Sequence, residues 1–142
     1  MQKNNQTKFK ETEIGTIPEE WEIISIGNIL SLEYGKALKD ENRIVGEIPV
    51  YGSNGVVGFH NQKLVDGPGI IVGRKGSAGE VIFSKKDFFP IDTTYFVKTN
   101  FDTKYVYYLL KNTDIKQLVS SSAVPGLNRN DVYSQQIEIP KS

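Results

Sequence analysis

The sequence contains no cysteine, which excludes disulfide bridges, thiolate metal sites and cysteine nucleophiles. It contains a single histidine, His60, so a Ser-His-Asp triad would depend on that one side chain. No apolar run approaches the roughly 18 residues of a membrane-spanning helix, and the polar amino terminus does not resemble a signal peptide. We therefore expect a cytoplasmic chain that makes no contact with a membrane.

An excess of charge is also missing, because 17 Lys+Arg balance 17 Asp+Glu. The distribution along the chain is uneven, with 6 Lys+Arg against 9 Asp+Glu in residues 1–50 and 11 against 8 in residues 51–142. A basic face on a neutral domain is compatible with these counts, as is a mixed, solvated surface. The 142 residues suffice for one domain with its own core.

The most distinctive stretch runs from Leu64 to Gly79. An apolar run, Ile70–Val72, lies between two glycine-rich turns, and this pattern predicts a short buried strand. The second turn combines three glycines, two cations and a hydroxyl: Gly73, Gly76, Gly79, Arg74, Lys75 and Ser77. Glycines let backbone N–H groups approach a partner, and adjacent cations suit a phosphate backbone. A tight hairpin with the two cations at its solvated tip explains the same residues.

Short strands separated by turns dominate the chain from residue 21 to residue 97, and the Asn-Gly pair at 54–55 predicts a tight hairpin. A helix is predicted over 104–111, a second short helix up to residue 119, and a last strand over 132–139. We therefore expect the α+β (α/β) class, with a twisted, mostly antiparallel sheet and a few short helices. Residues 1–13 are interpreted as a flexible leader and residues 14–142 as a single domain.

Three polar clusters could contact phosphates or base edges. They comprise Ser53 and Asn54 at the predicted hairpin tip, Thr93 and Thr94 after Asp92, and Asn128, Arg129 and Asn130 in a loop predicted over 120–131. Turn chemistry explains the first cluster equally well, and local capping of the backbone explains the second. The long polar loop from Tyr34 to Glu47 is a further candidate, since binding residues are often carried by such loops.

No catalytic constellation is convincing. The glycine spacing at 73, 76 and 79 does not match a phosphate-binding P-loop, and no cofactor-binding glycine turn on a βαβ unit is present. A magnesium nuclease would need clustered acids with a lysine, for which Asp92, Asp114 and Lys116 are the available candidates. Asp114 is better interpreted as a helix cap. We therefore predict a non-catalytic chain.

Taken in series, several motifs resemble the target recognition domain of type I restriction-modification specificity subunits. The matching stretches are Ile17–Trp21, Ile48–Gly55, Asp66–Ser77, Pro90–Tyr95, Tyr105–Leu110 and Val124–Arg129. The resemblance implies a domain that reads one half of a bipartite double-stranded DNA target. It also implies a partner methyltransferase (M) subunit that modifies adenine with S-adenosylmethionine, and an ATP-driven, Mg-dependent restriction (R) subunit. No cofactor is implied for this chain itself.

Complete members of that family carry two such domains separated by long helices, whereas this sequence stops at Pro140–Ser142, where the first helix would begin. The spacer and the second recognition domain are therefore expected to be absent, and the chain is either a fragment or an unusual lone recognition domain. Two alternatives remain: a recognition domain of a single-chain methyltransferase or endonuclease, and an interaction module that does not read DNA.

The resemblance also divides the candidate residues by role. Residues in shared motifs are assigned to DNA-backbone contact or scaffold geometry: Tyr51, Ser53, Asn54, Arg74, Lys75, Ser77, Thr93, Thr94, Asn128 and Arg129. Residues in less motif-like loops are assigned to base reading: Lys36, Lys39, Asn42, Arg43, Lys85 and Lys86. Lysine and arginine can reach guanine acceptors, and asparagine can pair with adenine.

Overall fold

The computed structural model describes residues 9–12, 15–18, 20–120 and 125–140. The strands in chain order are β1 Phe9–Thr12, β2 Gly15–Pro18, β3 Trp21–Ser25, β4 Leu30–Tyr34, β5 Ile48–Gly52, β6 Gly55–His60, β7 Gly69–Gly73, β8 Val81–Ser84, β9 Phe89–Pro90, β10 Thr94–Thr99 and β11 Gln136–Pro140. The α-helices are α1 Thr103–Asn112 and α2 Arg129–Tyr133. Short 3-10 helices occur at Ile26–Asn28, Asp40–Asn42 and Ile115–Leu118. The predicted α+β class is confirmed.

Strands β4, β10, β7 and β8 form a four-stranded antiparallel sheet in that order. Strand β7 is buried along its whole length, as its run of β-branched residues predicts. One face of the sheet packs against α1 through Val106 and Leu110, both of which are fully buried in the main core. Burial of these two side chains stabilises α1, because a ten-residue helix is only marginally stable on its own.

A second sheet has the order β6-β5-β9, with β5 antiparallel to β6 and parallel to β9. The β5–β6 hairpin turns at Ser53–Asn54, and Gly55 takes a φ of 127°. Tyr51 of β5 packs edge-on against Phe88 with ring centroids 6.0 Å apart. Together with Ile71 of β7 these rings form a smaller core that joins the two sheets.

Two further antiparallel pairs complete the described strands, β1 with β2 and β3 with β11. The sequence predicted a single sheet, whereas the described strands form four separate sheets. Strand β1 lies inside the flexible leader predicted over residues 1–13, so the predicted boundary at residue 13 falls within a hairpin. Residues 1–8 and 13 are outside the described residues, so the leader remains a prediction for them.

The predicted helix over 104–111 is confirmed as α1, whose cap Asp102 accepts a hydrogen bond from the backbone N–H of Tyr105 at 2.9 Å. The predictions of a loop through residue 131 and of a strand from residue 132 are wrong. Asn128 accepts a hydrogen bond from the N–H of Asn130 at 2.8 Å and thereby starts α2, so the last strand begins only at Gln136. Among the described residues, neither helix is long and apolar enough to cross a bilayer.

Candidate nucleic-acid interface

Segments that are distant in sequence meet at one edge of the four-stranded sheet. The register pairs Tyr34 with Tyr95 and Gly73 with Thr94, so the carboxyl ends of β4 and β7 lie beside the amino end of β10. The β5–β6 tip and the segment before α2 join them there. We call this region the cationic edge: Tyr34–Lys36, Ser53–Asn54, Arg74–Ser77, Asp92–Thr94 and Gly126–Asn130.

The carbonyl oxygen of Thr93 is the centre of this arrangement. It accepts hydrogen bonds from the backbone N–H groups of Arg74 at 2.9 Å and Lys75 at 3.1 Å. It also accepts one from the hydroxyl of the buried Ser53 at 2.7 Å. One peptide oxygen thus ties the hairpin tip and the glycine-rich turn to the start of β10.

The glycines of the turn serve its internal geometry. A Cβ on Gly73 would lie 2.2 Å from the carbonyl oxygen of Ser77, so the chain passes too closely for any side chain. Gly76 and Gly79 have φ values of 73° and 85°, which favour glycine. The N–H of Gly73 donates to Glu80 at 2.8 Å, and the N–H of Gly79 donates to Gly73 at 2.9 Å. These groups, like those of Arg74 and Lys75, already have protein acceptors.

The segment before α2 is attached to the same turn. The N–H of Leu127 donates to the carbonyl of Arg74 at 2.9 Å, and the hydroxyl of Tyr95 donates to the carbonyl of Leu127 at 2.7 Å. Burial raises the pKa of Tyr95, the neighbouring Tyr34 raises it further, and Arg74 and Arg129 act in the opposite direction. Tyr95 therefore stays protonated at neutral pH and keeps donating to Leu127.

Two guanidinium groups meet at the ring of Tyr34, which is 53% exposed. The Cζ atom of Arg129 lies 4.7 Å from the ring centroid and that of Arg74 lies 5.3 Å from it. Arg74 also donates through Nε and Nη2 to the carbonyl of Asp92, the Nε bond measuring 3.1 Å, and Arg129 donates to the carbonyl of Leu32 at 3.2 Å. Both cations are thus held in fixed positions by ring and backbone contacts.

These residues line an open concavity of about 500 Å³. Its described lining includes three cations, Arg74, Lys75 and Arg129, and no carboxylate. Such a lining favours an anion with a convex surface.

The residues predicted for backbone contact or scaffold divide into two groups by burial. Tyr51, Ser53 and Thr94 are buried, and the Thr94 hydroxyl donates to the carbonyl of Ile91 at 2.7 Å, so these three form part of the scaffold. The others are exposed or half-buried on the cationic edge: Asn54, Arg74, Lys75, Ser77, Thr93, Asn128 and Arg129. Contact between this second group and DNA remains a prediction.

Of the residues predicted to read bases, Lys36, Lys39 and Asn42 are exposed on the loop that leaves the cationic edge after β4. Arg43 instead turns back onto the protein, with its side chain only 15% exposed. It donates to the carbonyls of Val57 at 3.2 Å and Leu38 at 3.4 Å and pairs with Asp40. This arrangement fixes the loop and does not favour the predicted base contact by Arg43.

Lys85 and Lys86 do not join the cationic edge. Ser84 pairs with Gly69 at the far end of β7, so the turn that holds both lysines lies about 14 Å of strand away from Gly73. At that end Asp87 accepts a hydrogen bond from the N–H of Gly67 at 2.8 Å, which lowers the pKa of Asp87, and Lys63 adds to this. Arg74 follows β7 and Lys85 follows β8, and because these strands are antiparallel the two residues lie at opposite ends of the sheet. The sequence alone does not show this pairing.

Sequence reasoning missed Tyr34 and Tyr95, the two aromatic residues that organise the site. Their rings are 5.4 Å apart at an interplanar angle of 48°. The signal available was Tyr34 at the end of a strand that alternates leucine with polar residues, directly before Gly35. That pattern does not identify the partners of Tyr34, which are Tyr95 of β10, Arg74 after β7 and Arg129 of α2.

The residues weighed for catalysis have structural contacts. His60 is buried, accepts a hydrogen bond from the N–H of Ile44 at 3.0 Å through Nδ1, and packs edge-on against Phe89. Lys116 pairs with Glu80 at 2.6 Å, which raises the pKa of Lys116. Within the described ranges, no group of three or more His, Cys, Asp or Glu residues could hold a metal ion.

Fold and site together define an α+β module with a concave, cationic surface. The chain matches the family model for the type I restriction modification DNA specificity domain over residues 18–142. It is 25% identical over 140 residues to the specificity subunit of the type I restriction enzyme EcoprrI from Escherichia coli, covering 93% of this chain and 34% of that protein. The chain belongs to the type I restriction modification DNA specificity domain family.

Solved structures share the fold. The S subunit of a type I restriction-modification system from M. genitalium superposes with a TM-score of 0.77 at 20% identity, over 99% of this chain and 36% of that one. The HsdS subunit from Thermoanaerobacter tengcongensis gives a TM-score of 0.66 at 11% identity, over 93% and 36%. The chain therefore spans about a third of the length of these relatives.

Proposed function

We propose that this domain binds double-stranded DNA and reads one half of a bipartite target as part of a type I restriction-modification specificity subunit. The domain performs no catalysis in this role. It supplies sequence recognition to a methyltransferase subunit that modifies adenine and to a restriction subunit that cuts. Those partners use S-adenosylmethionine, ATP and Mg, whereas this chain needs no cofactor, and a role on DNA corresponds to a cytoplasmic location.

The observation that carries this proposal is the convergence of the family's shared motifs at the cationic edge. The glycine-rich turn, the β5–β6 tip and the segment before α2 lie far apart in sequence, yet hydrogen bonds to Thr93 and Arg74 join them. Motifs that gather around clustered cations at an exposed edge of the sheet support a ligand that they share. The phosphate backbone fits that description because it is common to all DNA targets.

Base reading requires side chains that protrude, since base edges lie at the floor of a groove about 8.5 Å deep. The exposed side chains of the loop that follows β4 meet that requirement: Lys36, Lys39 and Asn42. We assign base reading to these residues. Lys85 and Lys86 lie at the other end of the sheet and are assigned no contact with the same duplex segment.

Partner binding is supported by the family assignment, and one structure of similar fold is described as showing complex assembly and conformational transition of the type I R-M system. That structure shares 12% identity and a TM-score of 0.68 with this chain, which covers 35% of it.

The test is selection from a randomised duplex pool by the purified chain at several salt concentrations, followed by sequencing, with a Mg-dependent cleavage control. We expect enrichment of a motif of about three or four base pairs over a salt-sensitive background, without cleavage. Binding to a methyltransferase subunit without enrichment would indicate the interaction module instead. Cleavage or methylation by the chain alone would contradict the non-catalytic role.

Two exposed lysines provide a matched pair of variants. Lys75→Ala removes a cation from the concavity, and Lys85→Ala removes one from the opposite end of the sheet. Lys75→Ala should weaken binding to all sequences and flatten the salt dependence by about one unit, whereas Lys85→Ala should leave both unchanged. Equal effects of the two substitutions would contradict the assignment of the cationic edge as the DNA-binding surface.

A further inference from the structure

We propose that Tyr34 positions Arg74 and Arg129 as a clamp for the phosphate backbone of one DNA strand. In this arrangement the concavity fixes the register of the duplex and does not read bases. The inference rests on the function proposed above and adds a positioning role for an aromatic residue and a specific ligand, the phosphodiester.

Both guanidinium groups are held in position by several contacts. Each lies near the Tyr34 ring, at 5.3 Å and 4.7 Å from its centroid, and each is also bonded to a backbone carbonyl. A guanidinium has five N–H donors, so two bonds from Arg74 and one from Arg129 leave donors for a ligand. Cations that are already ordered lose less side-chain entropy on binding than free ones.

The shape of the site fits the outside of a duplex. The two guanidiniums lie in a concavity, and both arginine residues are half-buried. The sugar-phosphate backbone forms the outer ridge of a duplex, whereas base edges lie deep in the grooves. A concave surface receives the ridge and cannot reach the groove floor, so phosphate is the ligand that this geometry fits.

The charge of the concavity also fits a phosphodiester. The described lining combines Arg74, Arg129 and Lys75 with uncharged side chains only. Phosphate oxygens accept charge-assisted hydrogen bonds from guanidinium groups, often in pairs. Tyr34 carries no charge and is needed here only to hold the two arginines together.

The test compares Tyr34→Leu with Tyr34→Phe in the full 142-residue chain. Phenylalanine keeps the ring face that attracts both cations, and leucine removes it. We expect Tyr34→Leu to bind random and selected duplexes about tenfold more weakly, by the same factor for both, since two cation–π contacts are lost. Tyr34→Phe should bind like the parent protein. Thermal unfolding of both variants verifies that each is folded.

A second measurement separates backbone contact from base contact. Arg74→Gln and Arg129→Gln should each weaken binding to every sequence and flatten the salt dependence, with the selected motif unchanged. A changed motif in either variant would assign that arginine to base reading and overturn the clamp. Unchanged affinity in Tyr34→Leu would overturn the positioning role while leaving DNA recognition intact. A parent chain that binds neither duplex at low salt would overturn both this inference and the proposed function.

Discussion

Replacement of Gly73 by alanine should destabilise the glycine-rich turn more than any other single methyl addition within it. The added Cβ would lie 2.2 Å from the carbonyl oxygen of Ser77 and 3.1 Å from the Cβ of Ser53. Van der Waals contact requires roughly 3.4 Å or more, so the turn must move by about 1 Å. The oxygen of Ser77 is a backbone atom, so no change of side-chain rotamer can relieve the clash.

The hydrogen bonds that close the turn set the magnitude. The Gly73 N–H donates to Glu80 at 2.8 Å, and the Gly73 carbonyl accepts from Gly79 at 2.9 Å. Losing both costs about 2 kcal/mol, since each contributes on the order of 1 kcal/mol. For a chain of this length 1 kcal/mol corresponds to about 4 °C, so the melting temperature should fall by about 8 °C.

Gly76→Ala provides the control, because a Cβ there meets nothing within 4 Å and only its φ of 73° is unfavourable. That conformation costs about 1 kcal/mol, or about 4 °C. Unfolding by heat and by urea should therefore rank the parent above Gly76→Ala and Gly76→Ala above Gly73→Ala. A Gly73→Ala protein as stable as Gly76→Ala would show that a Cβ at residue 73 does not clash with the carbonyl oxygen of Ser77.

Three further predictions follow from individual contacts. Arg43→Ala should speed amide exchange at Leu38–Asn42 without changing the selected DNA motif, because the hydrogen bonds from Arg43 to Leu38 and Val57 hold the loop. An altered motif with unchanged exchange would restore Arg43 as a base reader. Tyr95→Phe should cost about 1 kcal/mol at pH 7 through the lost bond to Leu127. Because the pKa of Tyr95 is raised, this contribution is present below pH 10 and is lost as the pH rises through the folded-state pKa. In urea unfolding, the difference in stability between the parent and Tyr95→Phe should therefore shrink above pH 10. A constant difference would contradict this. Asn128→Ala should cost about 1 kcal/mol in thermal or urea unfolding and Asn128→Asp much less, because the side-chain oxygen of either asparagine or aspartate can cap α2. Equal losses in the two variants would mean that the cap is unimportant.

Local sequence patterns predicted the local structure well. The Asn-Gly pair gave the β5–β6 hairpin, the apolar run at 70–72 gave β7, and Asp102 marked the start of α1. These features depend on residues within a few positions of one another, so they can be read without the fold. Helix α2 was missed because its cap, Asn128, lies in a stretch of polar residues that also suits a loop.

The composition of the site could be predicted only in part. Arg74, Lys75 and Arg129 were recognised as cations in motifs, yet their meeting at Tyr34 depends on the register between β4, β10 and β7. No local pattern encodes that register. For the same reason Lys85 was grouped with the other basic residues, although the antiparallel β7–β8 ladder carries it to the opposite end.

The most direct test of the cationic edge is to map the amide resonances of the labelled chain as the selected duplex is added. We expect shifts that grow with duplex concentration and are suppressed by salt at described residues of that edge: Lys36, Asn54, Arg74, Lys75, Ser77, Leu127, Asn128 and Arg129. Lys85, Lys86 and the exposed face of α1 at Tyr108 should remain unshifted. Shifts concentrated at Lys85 and Lys86 or along α1, with the cationic edge unchanged, would contradict the account.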